Sequence, residues 1–451
     1  MANKGFRDSV ESRISQLKDN LNDRYYQGFP VVKELVANAD DAKATVVHLG
    51  WSPAPLGAAH PLLSRPGVFV VNDGQFRAVD EQGIRQLGLG SRGADQTTIG
   101  RFGLGLKSVF HYCDAIFYLA SGRDGSDHSP VFDILNPWSH EVSGLHTDWD
   151  AVHAADAKLL RELLAPCCQT RDWFAIWLPL RCPSDPKPFI MQEFRGQLTT
   201  PPKELLGDDV VARVASLLPL LSHVRSVRFW IGQERSKQTV CVRASCQVTE
   251  GSSRRRSFGE LERQDSHSAF SGSIQVAVDQ TQAHTSLYGA AEVMLRDREC
   301  DELRKHRKWP HRHAVDPQSF DLVEHPEKAQ PHAAVHILRS PRSAGRGELR
   351  IIWASYLPVG EPEEGDRQPL SIQCDVDIVL HGVFFVDAGR RVVEFERPET
   401  IDNERSVRLI WNRLLRDRGA LPLLIPSLER AVAEGVVGHD EVGALTQALS
   451  R

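Results

Sequence analysis

The chain has 451 residues, 41% of them hydrophobic, and a formal net charge of −5. Such a length and apolar content allow two or three domains with real cores, and the mild negative charge gives no general pull toward nucleic acid or membranes. No apolar run approaches the roughly 18 residues needed to cross a bilayer, and the first residues lack a signal-peptide core. Eight cysteines without a CxxC pair read as reduced thiols. The expectation is a soluble cytoplasmic protein.

In chain order, Val10, Ile14, Leu17 and Leu21 make one apolar stripe of an opening helix. A second helix carries Glu34 to Asp41. Residues 44–49 and 68–71 read as strands, separated by a loop rich in Pro, Gly and Ala over 52–67. A short helix is predicted over 81–89, followed by a glycine-rich stretch over 88–101. Further strands fall at 116–119, 131–134 and 173–178. Helices and strands alternate without βαβ regularity, which predicts an α+β sandwich. Pro183, Pro186 and Pro188 cannot continue a helix or a central strand, so a first domain over 1–182 and a second α/β domain over 189–451 are expected. In the second, 210–221 reads as helix, 224–230 as strand and the polar run 250–268 as an exposed loop. Strands recur at 334–338, 349–356 and 378–386, and the end is helical over 406–416 and 426–433.

Two motifs carry chemistry. On a helix Glu34, Asn38 and Asp41 share one ridge, with Val32, Leu35 and Val36 opposite. A carboxylate, an amide oxygen and a second carboxylate on one ridge suit orienting water and completing the shell of a hard cation. Further on comes Gly100-Arg-Phe-Gly-Leu-Gly-Leu-Lys-Ser108. Its glycines let backbone N–H groups approach phosphate, and Lys107 can pair with phosphate oxygens. Taken singly, each has a bland reading: a solvated glutamate, a hydrogen-bonding asparagine, a simple glycine turn.

Together these residues resemble the GHKL superfamily of ATPases, which includes the ninety-kilodalton heat-shock chaperone, DNA gyrase, MutL-type repair proteins and sensor histidine kinases. The nearer resemblance is to the sacsin-like branch, carried by Lys33-Glu-Leu-Val-Ala-Asn-Ala-Asp-Asp-Ala-Lys-Ala-Thr45, Val71-Asn-Asp-Gly-Gln-Phe76 and Thr98-Ile-Gly-Arg-Phe-Gly-Leu-Gly-Leu-Lys-Ser-Val-Phe110. It is firm to about residue 180 and looser beyond, where 217–226, 376–391 and 409–415 look like the segment that follows such a module.

The resemblance implies a Bergerat fold, a mixed, mostly antiparallel sheet with helices over one face, binding ATP and Mg²⁺. Glu34 would be the general base and Asn38 the magnesium ligand, with Asp41 beside it. Asp73 and Gly74 would read adenine, although Asn72-Asp-Gly-Gln-Phe76 departs from the usual Asp-x-Gly-x-Gly, and a plain Asp-Gly turn stays open. Gly100, Phe102, Gly103, Leu104, Gly105, Lys107 and Ser108 would hold the phosphates, under a lid formed by 88–98 that includes Ser91 and Arg92. Arg390 or Arg391 would reach the γ-phosphate from the second domain. Thr170 sits too early for the family's last threonine. The implied function is an ATP-driven conformational switch with slow hydrolysis and a protein client or partner. Competing readings are a DNA-linked clamp of the MutL or MORC kind and a scaffold that never turns over. Arg254-Arg-Arg256 reads as a solvated run, and Cys300, His306, His311 and His313 fit no standard metal spacing.

Overall fold

The computed structural model describes residues 9–23, 27–85, 105–123, 130–139, 146–182, 188–191, 199–233, 238–251, 255–279, 283–315, 322–327, 329–339, 347–360, 366–370, 375–387 and 391–449. The chain divides into two compact units. Of the described residues, the first unit takes those within 9–85, 105–210 and 227–244, and the second those within 211–226 and 245–449. Both mix helices with sheets whose registered pairings are mostly antiparallel, so the protein has the α+β architecture expected from its sequence.

In chain order the first unit holds α1 (Val10–Asp23), α2 (Phe29–Asp41), β1 (Val46–Ser52), β2 (Gly67–Asn72), α3 (Ala78–Arg85), β3 (Ile116–Ala120), β4 (Val131–Leu135), α4 (Ala154–Leu164), β5 (Phe174–Pro179), the short α5 (Lys203–Leu206) and the start of α6 (Asp208–Leu217), then β6 (Ser226–Gln233) and the first half of β7 (Thr239–Glu250). Its strand order is β6-β1-β2-β5-β3-β4. The strands β2, β5 and β3 are fully or almost fully buried, with Phe69 stacked on Trp177 at 6.3 Å. A side chain on Gly67 would strike the Trp177 indole at 2.3 Å, which is why the first residue of β2 is a glycine.

The helix α2 positions the first motif. Gly28 precedes it at φ 88°, and Pro30 lies in its first turn, where a missing N–H costs nothing. It ends at Lys43, in the left-handed conformation at φ 61°, with the Lys43 N–H donating to the Asp40 carbonyl and that of Ala44 to the Ala39 carbonyl. The apolar face, Val31, Val32, Leu35 and Val36, is buried at about 1.5–3 kcal/mol per side chain. The ridge of Glu34, Asn38 and Asp41 is enclosed too: Glu34 and Asp41 are buried and Asn38 partly so, and a 3₁₀ turn over Gly105–His111 packs against α2.

The second unit contains α7 (Phe258–Leu261), β8 (Ser268–Val278), β9 (His284–Met294), α8 (Arg298–Arg304), the ribbon β10 (His311–Val315) with β11 (Leu322–Pro326), β12 (His332–Arg339), β13 (Glu348–Ser355), the short β14 (Leu357–Pro358) and β15 (Asp366–Pro369), β16 (Val376–Gly382), α9 (Glu404–Leu414), α10 (Leu424–Ala433) and α11 (Val442–Leu449). Its strands run β8-β9-β12-β16-β13, with β13 parallel to β16. One face is covered through Ala431, Val436, Val437 and Leu445. Gly289 of β9 lets the α10 backbone come close, since a Cβ there would lie 2.7 Å from Ala431 Cα.

The other face carries a buried polar row. Ser268, Glu292, Ala334 and His381 lie in register across β8, β9, β12 and β16. Here the described part of the polar run over 250–268 is largely exposed, as expected, yet it carries a short helix and sends part of its length into this face. Arg255 pairs with the fully buried Glu292 at 3.5 Å, the Arg256 N–H donates to the same carboxylate at 2.8 Å, and Ser257 caps α7 through a capping box with Glu260. A buried carboxylate needs partners, and this basic run supplies them.

Candidate functional site

The site is built where α2, the β1 and β2 ends and the Gly105–His111 turn meet, all within the first unit. Glu34 is 7% exposed. Gly105 approaches it so closely that a Cβ on that residue would sit 2.2 Å from Glu34 Oε2. Only glycine leaves this carboxylate its place. Asn38 is partly buried one helical turn along, and Asp41 is buried at the helix end.

Lys107 is the least expected member. It is 4% exposed, and among the described residues nothing accepts a hydrogen bond from its amine. Burial lowers its pKa from the usual 10.5 to about 7. Ser108 is buried beside it and donates to the Gly105 carbonyl at 2.6 Å, closing the turn.

Asp73 leaves the end of β2 and turns back onto β1. Its Oδ1 accepts from the backbone N–H of Thr45 at 2.6 Å and of Val46 at 2.9 Å, while Oδ2 accepts from the Thr45 hydroxyl at 2.5 Å. The Gly74 N–H donates to Asn72 Oδ1 at 3.0 Å. A side chain at Gly74 would meet Ala42 Cβ at 2.8 Å, so the Asp-Gly pair is pressed against the end of α2.

Behind the turn lies a buried ion pair that sequence reasoning missed. Arg181 Nε donates to Asp114 Oδ2 at 2.6 Å, and its other nitrogens reach Asp114 Oδ1 and the carbonyls of Phe110, His111 and Cys113. The Ile190 N–H completes Asp114 at 2.7 Å. Tyr112 accepts from the Gly28 N–H at 2.6 Å, tying this segment to the start of α2, and burial pushes its phenol well above the usual value. The visible signal was Tyr112-Cys-Asp114, which directly follows the glycine motif.

Among the proposed site residues, the structure thus gathers Glu34, Asn38, Asp41, Asp73, Gly74, Gly105, Lys107 and Ser108. Gly100, Phe102, Gly103, Leu104, Arg390 and the lid over 88–98 lie outside the described residues. Arg391 belongs to the second unit, half-exposed, with its N–H donating to Asp387 Oδ1 at 2.5 Å. Thr170 is exposed and donates to the Asp172 carbonyl. Among the described residues no three His, Cys, Asp or Glu side chains form a metal-holding group, and no helix is long and apolar enough to cross a membrane. The described cysteines are free.

The donor set fits a magnesium nucleotide. Magnesium takes few protein ligands and completes its shell with water and phosphate oxygens, so one amide oxygen at Asn38 suffices. Among the described residues the buried amine of Lys107 has no acceptor, which phosphate would provide, and the close approach at Gly105 brings backbone to the Glu34 carboxylate.

Comparison with known proteins agrees with the sacsin-like reading. Human sacsin (Homo sapiens) is 33% identical over 133 residues, a stretch covering 27% of this chain and 3% of that protein. The chain therefore corresponds to a small part of that relative's length. A family model described as the Sacsin domain matches residues 11–240, just over half of the chain. The chain belongs to the Sacsin-domain family.

Proposed function

We propose that this Sacsin-family chain binds ATP with Mg²⁺ in the first unit, hydrolyses it slowly and uses the cycle as a conformational switch, in the manner of the GHKL ATPases with their Bergerat fold. The observation that carries the reading is the contact of the Gly105 backbone with the Glu34 carboxylate, two residues from a buried lysine amine without an acceptor among the described residues. When bound, Mg²⁺ and ATP supply the reacting phosphoryl group and part of the charge neutralisation.

The protein's own residues position and exclude. Glu34 accepts a proton from the attacking water, and its enclosure by the Gly105–His111 turn keeps bulk water from competing. Asn38 would hold the cation through its amide oxygen. Asp73 already receives three hydrogen bonds. A carboxylate offers about four acceptor positions, two on each oxygen, so an adenine amino group would share Oδ2 with the Thr45 hydroxyl and would meet a fixed carboxylate. Arg390 and Arg391 are the candidates for coupling hydrolysis to the second unit, a cytoplasmic setting is proposed, and the client is a protein.

The test is ATP binding and turnover by the purified chain with Mg²⁺, beside Glu34→Ala. The variant should bind ATP and lose roughly 10²–10⁴-fold of turnover. Unchanged turnover removes Glu34 as base, and a wild type that does not bind ATP overturns the reading.

A further inference from the structure

A lysine amine sealed in a protein interior is costly unless paired, and folds rarely retain one without cause. Lys107 is such a residue: 4% exposed, with no acceptor for its amine among the described residues. Its neighbours make the point sharper. The elements packed on its turn are α1, with Glu11, Arg13, Lys18, Asp19 and Asp23, and α2, with Lys33, Glu34, Asp40 and Asp41. Its own segment adds His111 and the Asp114–Arg181 pair. None of these charges drives the shift of its pKa to about 7; burial alone does. The bland reading is a core lysine held for its aliphatic stem. That reading explains the burial of the methylenes and leaves the amine unexplained.

We propose that Lys107 is a proton-linked counter-ion, whose buried amine takes up one proton from solvent when anionic phosphate oxygens reach it. The balance is simple. The amine gains a proton, the phosphate keeps its charge, and an N–H···O⁻ bond forms where no acceptor stands among the described residues. No bond breaks in the ligand. The inference rests on the nucleotide reading and deepens it, because it makes phosphate binding at this site a pH-dependent event.

The sign follows. An anion raises the amine's pKa in the bound state, so binding above neutrality requires proton uptake. Affinity for MgATP is level below about pH 7 and falls toward tenfold per pH unit above it. The ligand does not mimic this, since the second phosphate ionisation lies near pH 6 and is complete at pH 8.

The experiment is calorimetric titration of the full chain with MgATP, and separately with tripolyphosphate, at pH 8 in buffers of low and high ionisation enthalpy. Close to one proton should be taken up per ligand bound. Lys107→Met, of similar length and without charge, should stay folded by circular dichroism, bind more than tenfold more weakly and show no proton uptake. Lys107→Arg should bind with a flat pH dependence. Tight MgATP binding with no proton exchange, or equal affinity in Lys107→Met, overturns the inference and leaves ATP binding standing. Absence of binding by the wild type to either ligand overturns the nucleotide reading and this inference with it.

Discussion

Lys107 lies near the start of the short segment 105–114 and Arg181, far off in sequence, packs on its other end, and both basic side chains are almost fully buried. Arg181 is saturated: a bidentate carboxylate, three carbonyls and a backbone N–H on its partner fix every atom involved. Lys107 has none of this among the described residues. A saturated charge holds the fold together, while an unsaturated one is held in reserve for something that arrives. The same few residues thus separate a structural cation from a functional one, by counting partners.

The largest effect expected on this contrast comes from breaking the saturated end. Arg181→Met leaves the Asp114 carboxylate buried and uncompensated, and should cost about 3–5 kcal/mol, read as a lowered urea midpoint. An unaltered midpoint would mean the pair is dispensable. Next comes Asp73→Ala, which orphans the Thr45 and Val46 N–H groups. A loss of about 1–3 kcal/mol is expected, whereas Asp73→Asn keeps an oxygen for the two N–H groups and should cost less. Thermal unfolding of the pair of variants would separate a clasp from an inert turn.

The smallest loss on substitution belongs to the reserved end. Because the folded-state pKa of Lys107 lies below its unfolded value, protonation favours unfolding. Stability should decline as pH falls from about 10.5 toward 7 and level off below. In ligand-free Lys107→Met that slope should flatten while stability at pH 7 is kept or raised. A variant as damaged as Arg181→Met would make Lys107 a structural cation and dissolve the comparison.

The sequence conveyed the elements of the first unit well, because bulky β-branched and aromatic runs such as Val68–Val71 and Trp173–Leu178 leave few alternatives. Strand ends moved by one to three residues, with β1 running over Val46–Ser52 in place of 44–49. In the second unit β8 and β9 escaped notice. Ser-Gly-Ser-Ile-Gln-Val and Leu-Tyr-Gly-Ala-Ala are interrupted by small and polar residues, and their strand character comes from pairing: the two form a hairpin with each other, and β9 gains β12 on its other side. The helix α4 also went unread.

At the site, the residue types were legible and their surroundings were not. Glu34 sits on the predicted ridge, yet burial of that ridge depends on the Gly105–His111 turn, which local periodicity cannot announce. Nothing about Lys107 in sequence signals enclosure, since lysine is ordinarily solvated. Asp73 was read as facing a ligand. Its partner Thr45 lies 28 residues away in sequence, and only the sheet brings them together.

The Asp73 clasp has a mechanical consequence. It fastens the first residues of β1 to the end of β2, while Gly74 bears directly on the last turn of α2. From Asp41 to Glu34 the helix is continuous, about 10 Å at 1.5 Å per residue, with no glycine or proline between them to bend it. Any displacement of the Asn72–Gly74 corner is therefore delivered to the Glu34 carboxylate as the motion of a stiff rod. The corner and the carboxylate are two ends of one lever.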